Sequence, residues 1–276
     1  RRQRQMCIRD RIKVDAHAVI PEDFVSKNVR VLETGEYICG GQRPNIIDKP
    51  TPFKETLLLA ESSMFGSSIA SYRNNPGKTY VKSLFHAAYR REVFEKVGFF
   101  NEELVRTEDN EIHYRMRKAG YKLCFDPDII SYQYTRSSLK AMLKQKYANG
   151  YWIGKTSKVC PKCLSIYHFV PFAFVSAIIA SGSVIGATGL AECIKKRHNH
   201  TLGKGISALR KVTVVLTTVM WVLYALMASG MAAVSAFKAE DKRNITNACL
   251  PVLFLLLHLS YGIGTIAGLM DKSKRG

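Results

Sequence analysis

Three stretches in the C-terminal part of the chain contain no Asp, Glu, Lys or Arg: residues 163–191, 212–237 and 244–270. A helix needs about 20 predominantly apolar residues to cross the hydrocarbon core of a bilayer, and each stretch is longer than that. This composition divides the chain into a polar part and an apolar part. The sequence therefore predicts three membrane helices, over about 165–190, 212–237 and 246–270.

Two of these predicted helices contain residues that bear on the straightness of the helix or on its packing. Pro171 and the glycines at 182, 186 and 189 leave open an alternative in which the first is broken into a kinked or re-entrant segment. In the third, the segment from His258 to Gly264 indicates close helix packing through small residues. A functional polar group at His258 is the alternative.

The polar part before residue 163 has roughly the length of one domain. Apolar residues recur with helical spacing between Phe24 and Leu32, and residues 53–65 follow a second helical pattern. Residues 66–80 are rich in Ser, Asn, Gly and Tyr, which is typical of a mobile loop. A further helix is expected after the strand-like residues 129–134, with Ser137 as its cap.

The formal charge of +19 raises the question of a nucleic-acid partner. The basic residues cluster within 136–162 and in the loops that flank the apolar stretches, and no nucleic-acid-binding motif is interleaved with them. Attraction to anionic lipid headgroups is the simpler explanation. We therefore predict a lipid bilayer as partner and no nucleic acid; a basic nucleic-acid module, the alternative, would show salt-sensitive binding to DNA or RNA.

The step Thr107-Glu108-Asp109 opens a predicted helix that Gly120 ends. Thr107 is the expected N-cap, and the two acids complement the positive end of the helix dipole. A carboxylate held there by backbone N–H groups stays ionised near neutral pH, which suits a general base. A well-capped surface helix with no chemistry explains the same residues.

Three blocks, 88–100, 107–109 and 115–121, together resemble the acceptor-side half of family 2 glycosyltransferases, in sequence and in spacing. The similarity is to a membrane-anchored branch that makes exopolysaccharides such as succinoglycan. It implies an α/β fold: the C-terminal part of a GT-A domain, followed by about three transmembrane helices. It also implies that Asp109 is the catalytic base, with Glu108 as its neighbour.

Asp15-Ala-His17 resembles the motif with which this family holds a metal ion and the donor diphosphate. The resemblance implies Asp15 and His17 as donor and metal residues and a divalent cation, Mg²⁺ or Mn²⁺, as cofactor. An ordinary turn after a strand is the alternative. Gly40 and Gly41 resemble the family's second strand and are candidate donor-binding residues, with a bulge or tight turn as the alternative.

The segment from Gln145 to Trp152 loosely resembles a motif of processive family members, but Asn149 and Gly150 interrupt it. Gln145 and Trp152 are candidate acceptor residues on that basis. A basic amphipathic helix lying at the bilayer surface over residues 136–162 explains the same segment, and we favour that interpretation.

Residues 1–11 have no place in the family pattern, and Met6 to Asp10 resembles translated adapter sequence. We expect this leader to be non-native. The resemblance places a nucleotide-binding half before Asp15, so we expect the chain to be a fragment, with the catalytic part over 12–135, a linker over 136–162 and a membrane region over 163–276.

The sequence thus predicts a multi-pass enzyme of the plasma or inner membrane with its catalytic part in the cytoplasm. It would transfer a sugar from a nucleotide-sugar to a lipid-linked glycan, with inversion. A polyprenyl-phosphate glycosyltransferase and an inactive membrane scaffold remain alternatives. The basic loop over 192–211 would then be external, which conflicts with the positive-inside rule and leaves the orientation open.

Overall fold

A computed structural model describes residues 10–16, 18–66, 77–197, 204–239 and 244–272. His17 and most of the predicted loop over 66–80 lie outside the described residues. The α/β prediction for the polar part is confirmed. Its strands are β1 (Asp10–Lys13), β2 (Ala18–Val19), β3 (Ile38–Gln42), β4 (Asn45–Ile46), β5 (Thr79–Val81), β6 (Ala87–Arg90), β7 (Leu123–Ile130) and β8 (Tyr132–Tyr134).

Five of these strands form a mixed sheet in the order β1-β6-β3-β7-β5, and β2, β8 and β4 form a smaller one. In the large sheet β3 and β7 are parallel, whereas the other pairs are antiparallel. Strand β1 begins at Asp10, so the last two residues of the predicted leader pair with β6. Successive side chains of a strand point to opposite sides of the sheet, and both faces of the large sheet carry buried apolar side chains. Helices therefore cover both faces.

Four helices complete this domain: α1 (Phe24–Glu33), α2 (Pro52–Ser62), α3 (Arg91–Val97) and α4 (Glu108–Lys118). Helix α1 packs Phe24 and Leu32 against one face of the sheet. On the other face, Ile112 and Met116 of α4 are fully buried against Tyr89 and other core side chains. The predicted sharing of one helix face by Ile112 and Met116 is confirmed.

Four longer helices follow: α5 (Leu139–Val159), α6 (Val170–Arg197), α7 (Lys204–Lys238) and α8 (Leu250–Met270). The apolar segments Ile166–Ile194, Lys204–Lys238 and Ile245–Met270, which contain α6, α7 and α8, are long and apolar enough to cross a membrane. The structure favours a continuous first helix over a broken, re-entrant one: Pro171 lies in the first turn of α6, where a missing N–H leaves no bond unmade, and α6 runs from Val170 to Arg197. The N-cap of α5 is Ser138, not Ser137, and its hydroxyl accepts from the Ala141 N–H.

Helix α8 lies between the α/β domain and the other two apolar helices. On one side Leu253 and Leu257 pack with Leu57 of α2 and Met142 of α5, and on another they meet Ala228 of α7. An apolar helix covered in this way exposes less of its surface to lipid than hydropathy alone would indicate.

Helices α5 and α8 run side by side in close backbone contact, through glycines on both. A Cβ on Gly150 or Gly154 of α5 would lie 2.0 Å from the Tyr261 carbonyl oxygen and 2.5 Å from the Thr265 carbonyl oxygen, respectively. Gly268 of α8 is equally restricted, by the Tyr151 carbonyl oxygen at 2.0 Å. The small-residue packing predicted between His258 and Gly264 is confirmed as well: a Cβ on Gly264 would lie 2.1 Å from the Tyr147 carbonyl oxygen of α5, and one on Gly262 would lie 2.5 Å from the Pro171 carbonyl oxygen of α6.

We expect Gly150→Ala to force the two helices apart and to destabilise the protein by about 1–3 kcal/mol, the usual effect of overpacking. Gly182→Ala is the matched control, since a Cβ there meets nothing within 4 Å. Thermal unfolding of both variants in detergent measures the difference. Equal melting temperatures of the two variants would mean that α5 and α8 can move apart to accommodate the added methyl group without loss of stability.

Candidate active site

Three carboxylates converge on one ammonium group beside the end of β1. The Lys13 Nζ lies 2.6 Å from Asp109 Oδ1, 3.0 Å from Glu108 Oε1 and 3.9 Å from Asp15 Oδ1. Strand β1 supplies Lys13, the turn after it supplies Asp15, and the first turn of α4 supplies the two acids. The structure thus brings together the Asp15 and Glu108-Asp109 motifs that the sequence singles out.

The Asp109 carboxylate is the most buried of these groups, with 14% of its side chain exposed. Burial raises the pKa of Asp109 to about 7, while the charge of Lys13 and its hydrogen bond oppose that shift. Burial on its own lowers the pKa of Lys13, but its attraction to Asp109 and Glu108 outweighs this and raises it. Near neutral pH the carboxylate can therefore take up and release a proton, which is what general acid–base chemistry requires.

Thr107 occupies the N-cap position of α4, as predicted, but its side chain does not cap the helix. Thr107 makes no side-chain cap hydrogen bond and has a left-handed backbone, with φ at 67°. Its hydroxyl hydrogen-bonds instead to the Arg106 carbonyl and the Thr156 hydroxyl. A capping side chain normally extends from a β-region backbone, so this conformation turns the hydroxyl away from the helix. The partner of Asp109 is accordingly Lys13, not the backbone N–H groups that we expected.

A buried imidazole anchors the helix that carries Asp109. His113, one turn further along α4, is fully buried and hydrogen-bonds to Tyr89 Oη at 2.8 Å and to Ser83 Oγ at 3.0 Å. Burial lowers the pKa of His113 to about 3, with smaller effects from Lys13 and Arg117. This neutral side chain ties α4 to β6, and the sequence analysis did not identify it; a lone His within an otherwise helical pattern is a weak signal.

The residues near Asp15 provide part of a possible cation site. Among the described residues, no group of three or more His, Cys, Asp and Glu side chains could hold a metal ion by itself. Asp15 supplies one carboxylate, and His86 Nε2 lies 3.9 Å from its Oδ2 while His86 Nδ1 faces Ser131 Oγ at 2.8 Å. Mg²⁺ commonly binds through one or two carboxylates together with substrate phosphates, so Asp15 fits such a site in part. His17 lies outside the described residues.

Gly40 and Gly41 permit close approach between strands. A Cβ on Gly40 would lie 2.7 Å from the His86 carbonyl oxygen, and one on Gly41 would lie 2.0 Å from the Ile129 carbonyl oxygen. The register between β3 and β7 shifts between Gly40 and Gln42. These observations favour the bulge that the sequence left open, and donor binding by these glycines stays a prediction.

Helix α5 turns one face towards the α/β domain. Gln145, Asn149, Trp152 and Thr156 share that face by helical spacing. Trp152 is buried, with 8% exposed, and Gln145 Oε1 is buried without a hydrogen-bond partner among the described atoms. Neither side chain stands free at a bilayer surface. Asn149, which we treated as an interruption of the motif, contacts Arg106 next to the α4 motif.

The mixed sheet, the acidic helix start and the apolar helices together define the class. The family model described as "Glycosyl transferase family group 2" matches residues 12–263, and the chain belongs to this family. The predicted membership is thereby confirmed, as is the GT-A type α/β domain followed by apolar helices.

Three curated proteins show the range of relatives. The succinoglycan biosynthesis protein ExoA of Rhizobium meliloti (strain 1021) is 27% identical over 142 residues, which cover 50% of this chain and 42% of that protein. A dolichyl N-acetyl-alpha-D-glucosaminyl phosphate 3-beta-D-2,3-diacetamido-2,3-dideoxy-beta-D-glucuronosyltransferase of Methanococcus voltae is 24% identical, with coverage of 60% and 52%. The O-antigen chain rhamnosyltransferase WbaN of Salmonella anatum is 32% identical, with coverage of 37% and 30%. The chain thus matches about half or less of the length of each.

We expect His113 to make the domain sensitive to acid. The unfolded chain binds a proton at this imidazole below pH 6.5, whereas the folded chain binds it only near pH 3. Stability should therefore fall as pH falls through this window, by about 1.4 kcal/mol per pH unit from this group. His113→Gln should flatten the dependence of the melting temperature on pH, whereas Tyr89→Phe, which keeps the imidazole, should retain it. Parallel curves for wild type and His113→Gln would contradict this assignment.

Proposed function

We propose that the protein containing this chain is a membrane-bound, inverting glycosyltransferase that uses a nucleotide-sugar donor. The observation that carries the proposal is the placement of Asp109: a largely buried carboxylate, with a pKa near 7, beside Lys13 and close to Asp15. Family membership supports the reaction class, and the two acidic motifs lie on separate elements that meet at one site.

Asp109 would act as the general base. As the acceptor hydroxyl oxygen attacks the anomeric carbon, its proton passes to an Asp109 carboxylate oxygen, and the bond from that carbon to the diphosphate oxygen breaks. Attack opposite the leaving group inverts the anomeric centre. Lys13 keeps Asp109 oriented and ionised before attack, and Glu108 accepts the second hydrogen bond of the same ammonium group.

Asp15 is the described residue that would hold a divalent cation together with the donor diphosphate. Family members generally use such a cation. When bound, it would neutralise negative charge on the departing diphosphate. His17 remains a proposed second ligand from the sequence motif.

The acceptor is proposed to be a lipid-linked glycan. The three long apolar helices support attachment to a bilayer, and relatives include a succinoglycan biosynthesis protein and an O-antigen chain rhamnosyltransferase. Because sugar nucleotides are cytosolic, the catalytic part is proposed to face the cytoplasm of a plasma or inner membrane. A polyprenyl-phosphate acceptor is the second candidate, and analysis of the lipid product separates a glycosyl phosphate from a glycan extended at a hydroxyl.

We expect Asp109→Asn to lower the transfer rate by roughly 10²- to 10⁴-fold, the usual contribution of a general base. The assay measures radiolabel passing from a panel of nucleotide-sugars into the lipid of membranes that contain the complete protein. Asp23→Asn is the matched control: this exposed residue precedes α1 and pairs with Lys27. Full activity of Asp109→Asn would refute the assigned base and favour a scaffold that transfers no sugar itself.

The rate should also depend on pH through Asp109. Because the base must be deprotonated, the rate falls as pH drops below about 7. Lys13 lowers the pKa of Asp109, so Lys13→Met should move this acidic limb to higher pH, whereas Lys13→Arg should leave it nearly in place. A limb that does not move in Lys13→Met must belong to another group.

A further inference from the structure

Helix α5 is in contact with both halves of the protein, through opposite faces. Gly150 and Gly154 meet the backbone of α8, as described above. At the end of α8, Asp271 accepts hydrogen bonds from Tyr151 and Lys155, with Lys155 Nζ 3.2 Å from its Oδ2. One face of α5 is therefore fixed to an apolar helix along about two turns.

The opposite face of α5 forms hydrogen bonds with Arg106 and Thr107, the two residues that immediately precede Glu108 and Asp109. Arg106 Nη1 donates to Asn149 Oδ1 at 2.8 Å, and the hydroxyls of Thr107 and Thr156 hydrogen-bond to each other. Thr156 is fully buried, so its hydroxyl has little access to water as a replacement partner. These two contacts hold the residues that lead into α4.

The backbone conformation of Thr107 explains why these hydrogen bonds matter for the position of Asp109. A β-branched residue with a φ of 67° occupies a region that such residues rarely adopt, and it persists only where surrounding contacts enforce it. The backbone dihedral angles of Thr107 determine the direction in which the first turn of α4 continues from the preceding loop. Relaxation of Thr107 would consequently displace the carboxylate two residues later.

From these contacts we propose that Asn149 and Thr156 are positioning residues, through which the helix packed on α8 fixes the base Asp109. This inference rests on the proposed function, since it concerns the same carboxylate. Neither side chain touches the reacting atoms: Asn149 acts through Arg106 and Thr156 acts through Thr107. Asp15, on a different element, keeps its place beside β1 when either contact is lost, so donor binding does not depend on them.

The test uses Asn149→Leu and Thr156→Val in the full-length protein in membranes. We expect each to lower kcat roughly 10- to 100-fold, since a displacement of about 1 Å at a reacting group can have that effect. The KM for the donor and the melting temperature should change little. Thr156→Ser restores the hydroxyl, and Asn149→Asp restores an oxygen acceptor for Arg106, so both should recover most of kcat.

Ser157→Ala is the matched control on α5, because its hydroxyl bonds only within the helix, to the Gly154 carbonyl oxygen at 2.8 Å. Wild-type kcat in both test variants would overturn the inference, and so would an unchanged kcat with a raised acceptor KM, which indicates direct acceptor binding. If Thr156→Val does not fold, Asn149→Leu and its rescue by Asn149→Asp decide the question. Should Asp109→Asn be inactive while both test variants are normal, the positioning inference alone fails; an active Asp109→Asn refutes the base itself.

Discussion

The ammonium group of Lys13 allows three carboxylates to share one site. Without a cation, Asp15, Glu108 and Asp109 would repel each other, and the partly buried Asp109 would become protonated. Lys13 in turn depends on β1 lying at the sheet edge next to β6, with α4 above it. The position of one strand therefore governs whether the acidic motifs, 94 residues apart between Asp15 and Asp109, can act together.

Burial raises the pKa of Asp109 and pairing with Lys13 lowers it. The balance of the two determines whether the carboxyl group is protonated near neutral pH. Burial alone would raise its pKa until the carboxyl group stayed protonated at neutral pH and had no free site for a proton. Full exposure would lower its pKa and leave it too weak a base to remove a proton from a hydroxyl. The buried His113 contributes geometry without charge, because it stays neutral between Tyr89 and Ser83. The site thus combines the ammonium group of Lys13 with a neutral anchor on the helix that carries Asp109.

Much of this arrangement could be predicted from the sequence, because the apolar stretches, the helical period of α4 and the acidic pair are local signals. Lys13 could not be predicted, since its role depends on strand pairing that periodicity does not report. The N-cap position of Thr107 was predictable, but the partner of its hydroxyl was not: capping preference describes an isolated helix end, whereas Thr156 binds this hydroxyl from 49 residues away. Hydropathy identified α8 as apolar, but only the glycines hinted at a protein neighbour.

The covered position of α8 links the membrane half to the chemistry. If lipid surrounded α8, the neighbouring helix α5 would also contact lipid and would need an apolar face there. However, α5 contains five lysines. Packing α5 directly on α8 through glycines removes that need, since backbone meets backbone. Of the lysines, Lys146 pairs with Glu61 of α2 and Lys155 pairs with Asp271 at the end of α8. The same rotation of α5 turns Asn149 and Thr156 towards Arg106 and Thr107. Close glycine packing in the apolar half and the contacts that hold the residues before Glu108 and Asp109 in the α/β domain are consequently two effects of one helix orientation.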